Sequence, residues 1–175
     1  MSVSELIVRP AGGKIHEGRA DWRGRSLPCA LGRAGIRANK IEGDGATPAG
    51  AFPFRRLLYR ADRLALPVMS LPTHPIGRDD GWCDDPADPL YNRPVRLPYP
   101  GRHERMWRAD ALYDLVLVIG HNEAPVRPGL GSAVFVHLAR PDCGPTEGCV
   151  AFAPADLLTM LAECEPATTI RILES

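Results

Sequence analysis

Residues 131–158 read GSAVFVHLARPDCGPTEGCVAFAPADLL, a stretch that combines a strong strand pattern, a Gly- and Pro-rich loop and a helix start. The segment 132–139 is apolar, rich in Val, and bounded by Gly and Pro, which predicts a buried strand. Pro154 suits the first turn of a helix because its missing N–H has no intrahelical partner there, and Pro166 ends that helix. Between them the apolar side chains recur at helical spacing at Leu157, Leu161 and Cys164. We therefore predict a strand, a loop and one packed C-terminal helix.

The rest of the chain is predicted to form short strands joined by turns. Its 17 Gly and 18 Pro residues are spread almost throughout its 175 residues, which disfavours long helices. Further strands are predicted at 4–9, 26–33, 51–60, 112–120 and 168–173. Residues 62–110 are rich in Pro, Asp and Arg and show weak periodicity, so we predict a long insertion or lid over the sheet. The predicted fold class is a mostly-β single domain, 1–175, with one packed helix.

The charge balance and the apolar pattern argue against two classes of protein. Lys plus Arg equals Asp plus Glu at 21 each, so the chain lacks the basic excess that is typical of broad nucleic-acid binding. The longest apolar stretch, 115–119, is far too short to span a bilayer. We therefore expect no nucleic-acid partner and no membrane association. Because no motif suggests a partner chain, we also expect a monomer.

The cysteines and the N-terminus bear on the compartment. The five cysteines are an odd number, widely scattered and without a CxxC pair: Cys29, Cys83, Cys143, Cys149 and Cys164. This spacing argues against a disulfide framework and fits a reducing compartment. The first residues, MSVSELIVRP, lack the basic start and apolar segment of a secretory leader. We expect a cytoplasmic protein, or a periplasmic one if a leader was trimmed.

His137 and Cys149 are the candidate chemical pair. His137 lies at the end of the apolar strand, where a lone histidine is more often structural than catalytic. Cys149 follows twelve positions later, after a loop long enough to bring thiol and imidazole together. A nearby histidine would lower the pKa of the thiol and make Cys149 hyper-reactive, and Gly148 would permit a tight turn whose N–H groups hold an oxyanion. The spacing alone fits a buried structural cysteine equally well.

Several motifs occur in a specific order along the chain. They are VFVHLA with His137, TEGCVAF with Thr146, Gly148 and Cys149, KIEGDGATPAGAF at 40–52, and PVRPGLGSAVFVH at 125–137. These motifs resemble the L,D-transpeptidase catalytic-domain family, also called the YkuD family. That family has an apolar strand ending in His, then Ser or Thr, one residue and Gly-Cys, and an upstream GDG-x-TP-x-G turn. The resemblance covers about 40–173.

The resemblance implies a β-sandwich-like fold and a cysteine nucleophile that acts on the stem peptide of the bacterial cell wall without a cofactor. Cys149 would attack the carbonyl at the L-centre of meso-diaminopimelate or a similar residue, form a thioester and expel D-Ala. His137 would accept the thiol proton and then activate the second acceptor. Backbone N–H groups of Gly148 and Cys149 would hold the oxyanion, and Thr146 would shape the loop.

The resemblance also raises the question of how the substrate is held. Secreted members of the family commonly carry His before Gly-Cys and Arg two residues after the Cys, whereas these positions here hold Glu147 and Ala151. Arg140 is a candidate replacement anchor, with an ordinary surface arginine as the alternative. His121 occupies a position that often holds Tyr in the family, so it either hydrogen-bonds to the substrate or is structural. The predicted substrate-binding residues are His121, Arg140, Thr146 and Glu147.

The predicted function is a cysteine acyl-transfer enzyme that acts on peptidoglycan stem peptides or soluble muropeptides. We expect an L,D-carboxypeptidase of muropeptide recycling, because an enzyme that is not exported has water as its acceptor. The alternatives are an L,D-transpeptidase, a non-catalytic muropeptide-binding module, and a thiol hydrolase or redox sensor that uses Cys143 and Cys149. The residues His121, His137, Cys143 and Cys149 lack the paired spacing of zinc ligands, so no metal is predicted.

Overall fold

The computed structural model describes residues 4–175, which form fourteen strands and one α-helix. In chain order the strands are β1 (Glu5–Pro10), β2 (Glu17–Trp22), β3 (Arg25–Ala30), β4 (Ile36–Arg37), β5 (Thr47–Pro48), β6 (Gly50–Tyr59), β7 (Thr73–Pro75), β8 (Asp80–Cys83), β9 (Pro94–Arg96), β10 (His103–Arg105), β11 (Leu115–Ile119), β12 (Phe135–Leu138), β13 (Val150–Phe152) and β14 (Thr169–Ile172). The helix α1 spans Pro154–Glu163 and lies between β13 and β14. The mostly-β fold class with one C-terminal helix is confirmed.

One sheet closes on itself around the core. Its strand order is β11-β12-β13-β3-β2-β1-β14-β6-β7, and β6 also pairs with β11. The long strand β6 makes this closure because residues 50–53 pair with β14 and residues 54–59 pair with β11. The two layers of the predicted sandwich are therefore parts of one continuous sheet. Parallel pairing of β1 with β14 joins the two ends of the chain in this sheet.

The helix α1 packs its apolar face into the enclosed core. Leu157, Met160 and Leu161 are buried against inward side chains of the strands. At the end of the helix, Trp22 donates its indole N–H to Glu163 at 2.7 Å. The chain turns extended at Cys164, two residues before Pro166, and the helix therefore ends ahead of that proline as the sequence predicts. Within residues 4–175, no helix is both long and apolar enough to cross a membrane.

Strands β11 and β12 are buried on both faces. Leu115, Leu117 and Ile119 point into the enclosed core, whereas Val116 and Val118 point outward into a second apolar cluster. This outer cluster is covered by the Pro-rich region, which folds into a small sheet of order β10-β8-β9. Its Trp82 packs edge-to-face on Phe135 with ring centroids 5.0 Å apart. The region is thus a packed layer over the sheet, and its opening as a lid stays a prediction.

Two strands of the closed sheet have no strong sequence signal. Strand β2 reads EGRADW and buries Gly18, Ala20 and Trp22 inward, of which two are small residues with weak strand preference. Strand β13 has only three residues, all buried, directly after Cys149. Both strands form because the backbone groups of the neighbouring strands need hydrogen-bonding partners there. The local sequence pattern contains no information about this pairing.

The helix provides a matched pair for testing the core. Leu157 is 0% exposed and its neighbour Leu158 is 41% exposed. Leu157→Ala should lower the free energy of unfolding by about 2–5 kcal/mol, because it leaves a cavity among close-packed side chains. Leu158→Ala should change it by less than about 1 kcal/mol. Urea denaturation of both variants measures the difference, and similar losses in the two would contradict the packing of this helix face.

Candidate active site

Parallel pairing of β12 with β13 brings the two candidate catalytic residues together. Val136 lies opposite Val150, and His137 lies opposite Ala151. Because side chains alternate between the faces of a strand, His137 and Cys149 lie on the same outer face of neighbouring strands. Both line one cavity of about 550 Å³. The predicted loop between them therefore returns the chain to the position that the chemistry requires.

The Cys149 thiol is buried among backbone groups. It is 7% exposed, accepts the Phe135 N–H at 3.3 Å and donates to the Ala133 carbonyl at 3.3 Å. Burial raises the pKa of the Cys149 thiol to about 12, the charge of Glu104 adds to the rise, and the Phe135 N–H opposes it. The expectation of a lowered thiol pKa is wrong for this resting site, because desolvation of the thiolate outweighs the groups that would stabilise it.

The His137 imidazole is held in a defined tautomer. Its Nδ1 lies 2.8 Å from the Leu138 carbonyl oxygen. Because a carbonyl only accepts, Nδ1 carries the proton and Nε2 is left as an acceptor. Tyr113 packs edge-on against the ring with centroids 5.3 Å apart. Burial lowers the pKa of His137 to about 4, so the ring is neutral at pH 7.

The resting pair is therefore a neutral thiol and a neutral imidazole. In the described part of the chain no hydrogen bond joins the Cys149 thiol to His137, since the thiol donates to the Ala133 carbonyl. For proton transfer, the thiol has to rotate from that carbonyl toward His137 Nε2.

The turn before the nucleophile is organised by Thr146. The Thr146 hydroxyl donates to the Cys149 carbonyl at 2.7 Å and accepts the Gly148 N–H at 3.1 Å. Gly148 has a φ of +141°, and a Cβ there would meet the Ala46 carbonyl oxygen at 2.8 Å. Glycine is required at this position for both reasons. Because its N–H is already bonded, Gly148 could hold an oxyanion only after release from Thr146, and that role stays a prediction.

The GDG-x-TP segment lies directly behind this turn. Asp44 accepts the N–H groups of Ile41 at 3.0 Å and Ala46 at 2.9 Å, and it pairs with the Lys40 ammonium. The Ala46 carbonyl in turn closes the space beside Gly148. The two sequence motifs are thus one structural unit. This arrangement also holds Lys40, with a side chain only 7% exposed, at the wall of the cavity, a position that sequence reasoning missed.

The four predicted binding residues fall into two groups. Arg140, Thr146 and Glu147 line the cavity with the catalytic pair. The Arg140 guanidinium is exposed and has no ion pair or hydrogen bond with any residue in 4–175. The Glu147 side chain is 82% exposed and pairs with Arg33, which offsets its charge.

His121 does not line this cavity. It packs edge-on against Phe52 with ring centroids 5.3 Å apart, and its Nε2 lies 3.1 Å from the Leu130 carbonyl. Burial lowers the pKa of His121. These contacts account for a structural histidine, and nothing in its position supports its predicted contact with substrate.

Within residues 4–175, the cysteines are arranged neither as a metal site nor as a disulfide. Across residues 4–175, no group of three or more His, Cys, Asp or Glu side chains is placed to hold a metal ion. All five cysteines are free, with Cys143 exposed and Cys149 buried. A Cys143–Cys149 disulfide is therefore absent from this conformation.

Two functional side chains come from elements without a recognisable motif. Glu104 lies on β10 and Tyr113 lies just before β11, and both line the cavity. The Tyr113 hydroxyl donates to Glu104 Oε1 at 2.6 Å. Burial raises the pKa of the Glu104 carboxyl. The surrounding sequence, HERMWRAD, has no periodicity or motif that could have identified a site residue.

The neutral thiol predicts how alkylation of Cys149 depends on pH. The thiolate is the reactive form, so a pKa of about 12 means that the rate should rise about tenfold per pH unit from pH 7 to 10 without a plateau. Iodoacetamide labelling with peptide mapping measures this rate, with the exposed Cys143 as internal reference. His137→Ala should leave the rate almost unchanged. A plateau below pH 9 that disappears in His137→Ala would instead reveal a resting thiolate–imidazolium pair.

The buried imidazole predicts a loss of stability at acid pH. The unfolded chain takes up a proton at His137 near its ordinary pKa of 6.5, whereas the folded protein does so only near pH 4. Between these values the unfolded state binds more protons, so the free energy of unfolding falls as the pH is lowered. The loss should reach about 3 kcal/mol. Urea unfolding from pH 7 to 4 should show it in the wild type but not in His137→Asn. Parallel curves for the two proteins would mean that the folded site protonates normally.

Comparison with known proteins gives one family match and two solved structures of low similarity. The family model of the L,D-transpeptidase catalytic domain, YkuD, matches residues 6–172. Among solved structures, L,D-transpeptidase 1 of Mycobacterium tuberculosis is 13% identical with a TM-score of 0.39, over 97% of this chain and 62% of that one. An L,D-transpeptidase of Mycobacterium smegmatis is 13% identical with a TM-score of 0.40, over 97% of this chain and 59% of that one.

This chain therefore spans less than two thirds of the length of either of those structures. No curated protein sequence is significantly similar to it. The family model, in contrast, matches almost every residue from β1 to β14. The chain belongs to the YkuD family of L,D-transpeptidase catalytic domains and is an enzyme of that family.

Proposed function

We propose that this enzyme is an L,D-carboxypeptidase that removes the terminal D-Ala from peptidoglycan tetrapeptides. The observation that carries the proposal is the pair of Cys149 and His137 on neighbouring strands at the wall of one cavity. A cavity of about 550 Å³ is of the size that encloses a single short peptide segment. Family membership supports peptidoglycan as the class of substrate.

The reaction starts with the neutral pair. Substrate binding turns the thiol toward His137 Nε2, which takes its proton as Cys149 Sγ attacks the carbonyl carbon at the L-centre of the diamino acid. The tetrahedral intermediate collapses, the bond to nitrogen breaks, and His137 returns the proton to the departing amine of D-Ala. Water then attacks the thioester with His137 as base, which releases the tripeptide and restores the thiol.

Two cations are placed to hold the carboxylates of such a peptide. Arg140 offers a guanidinium that has no partner within residues 4–175. Lys40 lies beside the turn that contains Gly148, and its charge acts on Cys149. In this proposal they take over the anchoring that secreted relatives assign to the positions of Glu147 and Ala151.

Hydrolysis is the simpler of the two reactions that this site supports. Water needs no binding site of its own, whereas cross-linking needs a second stem peptide beside the first. We therefore place the enzyme in the trimming of soluble muropeptides in the cytoplasm, for which five free thiols are suited. The alternative is L,D-transpeptidation, which uses the same thioester and replaces water by an amine.

Incubation with L-Ala-γ-D-Glu-meso-diaminopimelate-D-Ala, followed by mass spectrometry, tests the proposal. We expect tripeptide and free D-Ala from the wild type and no detectable turnover by Cys149→Ala. His137→Ala should lower kcat/KM by about 10²–10⁴-fold, the usual contribution of a general base. Cys143→Ala, which removes an exposed cysteine outside the cavity lining, should retain full activity.

A second incubation with excess of another D-amino acid separates the two reactions. Incorporation of that amino acid into a new tetrapeptide, at a rate above hydrolysis, would replace the carboxypeptidase by a transpeptidase. Turnover that persists in Cys149→Ala would refute the nucleophile. No turnover by the wild type would favour the non-catalytic binding module.

A further inference from the structure

Glu104 lines the cavity and has one carboxylate oxygen without a partner in residues 4–175. Its Oε1 accepts the Tyr113 hydroxyl at 2.6 Å. No side chain or backbone group in residues 4–175 donates to its Oε2. Glu104 is half-buried on β10, on the side of the cavity where Tyr113 packs against His137. A carboxylate placed in this way is suited to accept a hydrogen bond from a cationic group of a ligand.

Arg108 presents one free guanidinium nitrogen beside it. Its Nε and Nη2 donate to the two Asp110 oxygens at 2.9 and 2.7 Å, and the guanidinium lies over the Tyr113 ring at 5.0 Å. The remaining nitrogen, Nη1, donates to no group of the described chain and lies 4.0 Å from Glu104 Oε1. This nitrogen is suited to donate to an anionic group of a ligand.

The two charges are held near each other without closing into a hydrogen bond. Tyr113 holds Glu104, and Asp110 holds Arg108, so each side chain is fixed by a partner other than its opposite charge. At 4.0 Å the pair lies beyond hydrogen-bond distance. A group with an ammonium and a carboxylate on the same carbon could bind both at once, ammonium to Glu104 and carboxylate to Arg108.

We propose that Glu104 and Arg108 form a subsite for an amino-acid zwitterion. In the stem peptide, the group of this chemistry is the D-centre of meso-diaminopimelate, so the inference rests on the proposed function. That centre is four carbon–carbon bonds from the reacting L-centre, about 5 Å in an extended chain. Glu104, Arg108 and Cys149 line the same cavity, so one bound peptide can contact the subsite and the nucleophile together.

The subsite predicts which third residue of the peptide the enzyme prefers. A lysine side chain offers an ammonium but no carboxylate, and it would leave Arg108 facing a cation. An amidated diaminopimelate offers an ammonium and a neutral carboxamide. Both should bind less well than the free zwitterion, because an unmatched charge in a partly desolvated site is costly.

Turnover of three tetrapeptides tests this order of preference. They carry meso-diaminopimelate, its side-chain amide, or L-lysine at the third position. For the wild type we expect kcat/KM for the free zwitterion to exceed the other two by about tenfold or more, mainly through KM. Equal kcat/KM values for all three peptides would overturn the subsite.

Two variants test whether Arg108 recognises the carboxylate of the peptide and Glu104 its ammonium. Arg108→Gln should abolish the discrimination between the free carboxylate and the amide, and it should lower KM for the lysine peptide, whose ammonium then no longer faces a cation. Glu104→Gln, which can still accept the Tyr113 hydroxyl, should weaken both diaminopimelate peptides and the lysine peptide but keep the preference for the free carboxylate. In Glu104→Gln, a change of kcat that is the same for all peptides would reflect the lost charge of Glu104 near Cys149. The differences in KM between the peptides therefore decide whether the subsite exists.

Two control variants and a measurement of stability show whether a change in activity comes from a loss of folding. Arg105→Gln removes an exposed arginine of the same segment, and Glu165→Gln removes an exposed carboxylate that does not line the cavity. Both should keep the wild-type order of substrates. Thermal unfolding of every variant verifies the fold. If Arg108→Gln lowers kcat/KM for all three peptides by the same factor, the subsite is refuted.

Binding to Cys149→Ala separates this inference from the proposed reaction. Calorimetry compares the tripeptide ending in meso-diaminopimelate with its side-chain amide. Tighter binding of the free zwitterion, lost on adding Arg108→Gln, supports the subsite even if the wild type turns over no tetrapeptide, in which case only the proposed reaction fails. Equal binding of the two tripeptides refutes the subsite whatever the activity.

Discussion

The parallel pairing of β12 with β13 is the constraint on which the active site depends. Parallel neighbours cannot be joined by a tight turn, so the chain between Leu138 and Val150 has to cross back along the sheet. The return places Cys149 at the start of β13, on the same face as His137. The proximity of Cys149 and His137 is thus a consequence of strand order.

Burial determines the chemical state of that pair. The same layer that covers β11 and β12 removes water from the thiol and from the imidazole, and each loses its charged form. The pKa of Cys149 moves up and the pKa of His137 moves down, so a proton transfer between them is uphill until a substrate adds new interactions.

The covering layer also supplies charge to the cavity. Glu104 and Arg108 come from the Pro-rich region, whereas Lys40 comes from the GDG-x-TP segment and Arg140 from the loop after β12. Three separate parts of the chain therefore surround the catalytic pair with both signs of charge. In this arrangement the sheet carries Cys149 and His137, and the surrounding segments carry the charged side chains of the cavity wall.

The sequence by itself determined the strands with strong apolar patterns and the single helix after Pro154. It also singled out Cys149 and His137, which the structure places at one cavity, and their catalytic role stays a prediction. These features are local or carried by motifs, so periodicity, turn residues and order along the chain are sufficient to find them. Sequence did not determine the weak strands β2 and β13, the small sheet of the Pro-rich region, or the separation of His121 from the cavity. It also predicted a lowered thiol pKa, whereas the structure shows a raised one. Those properties depend on which distant segments pack together, because desolvation and pairing of charges are set by neighbours in space, and only the tertiary structure brings Glu104, Arg108 and Lys40 to the nucleophile.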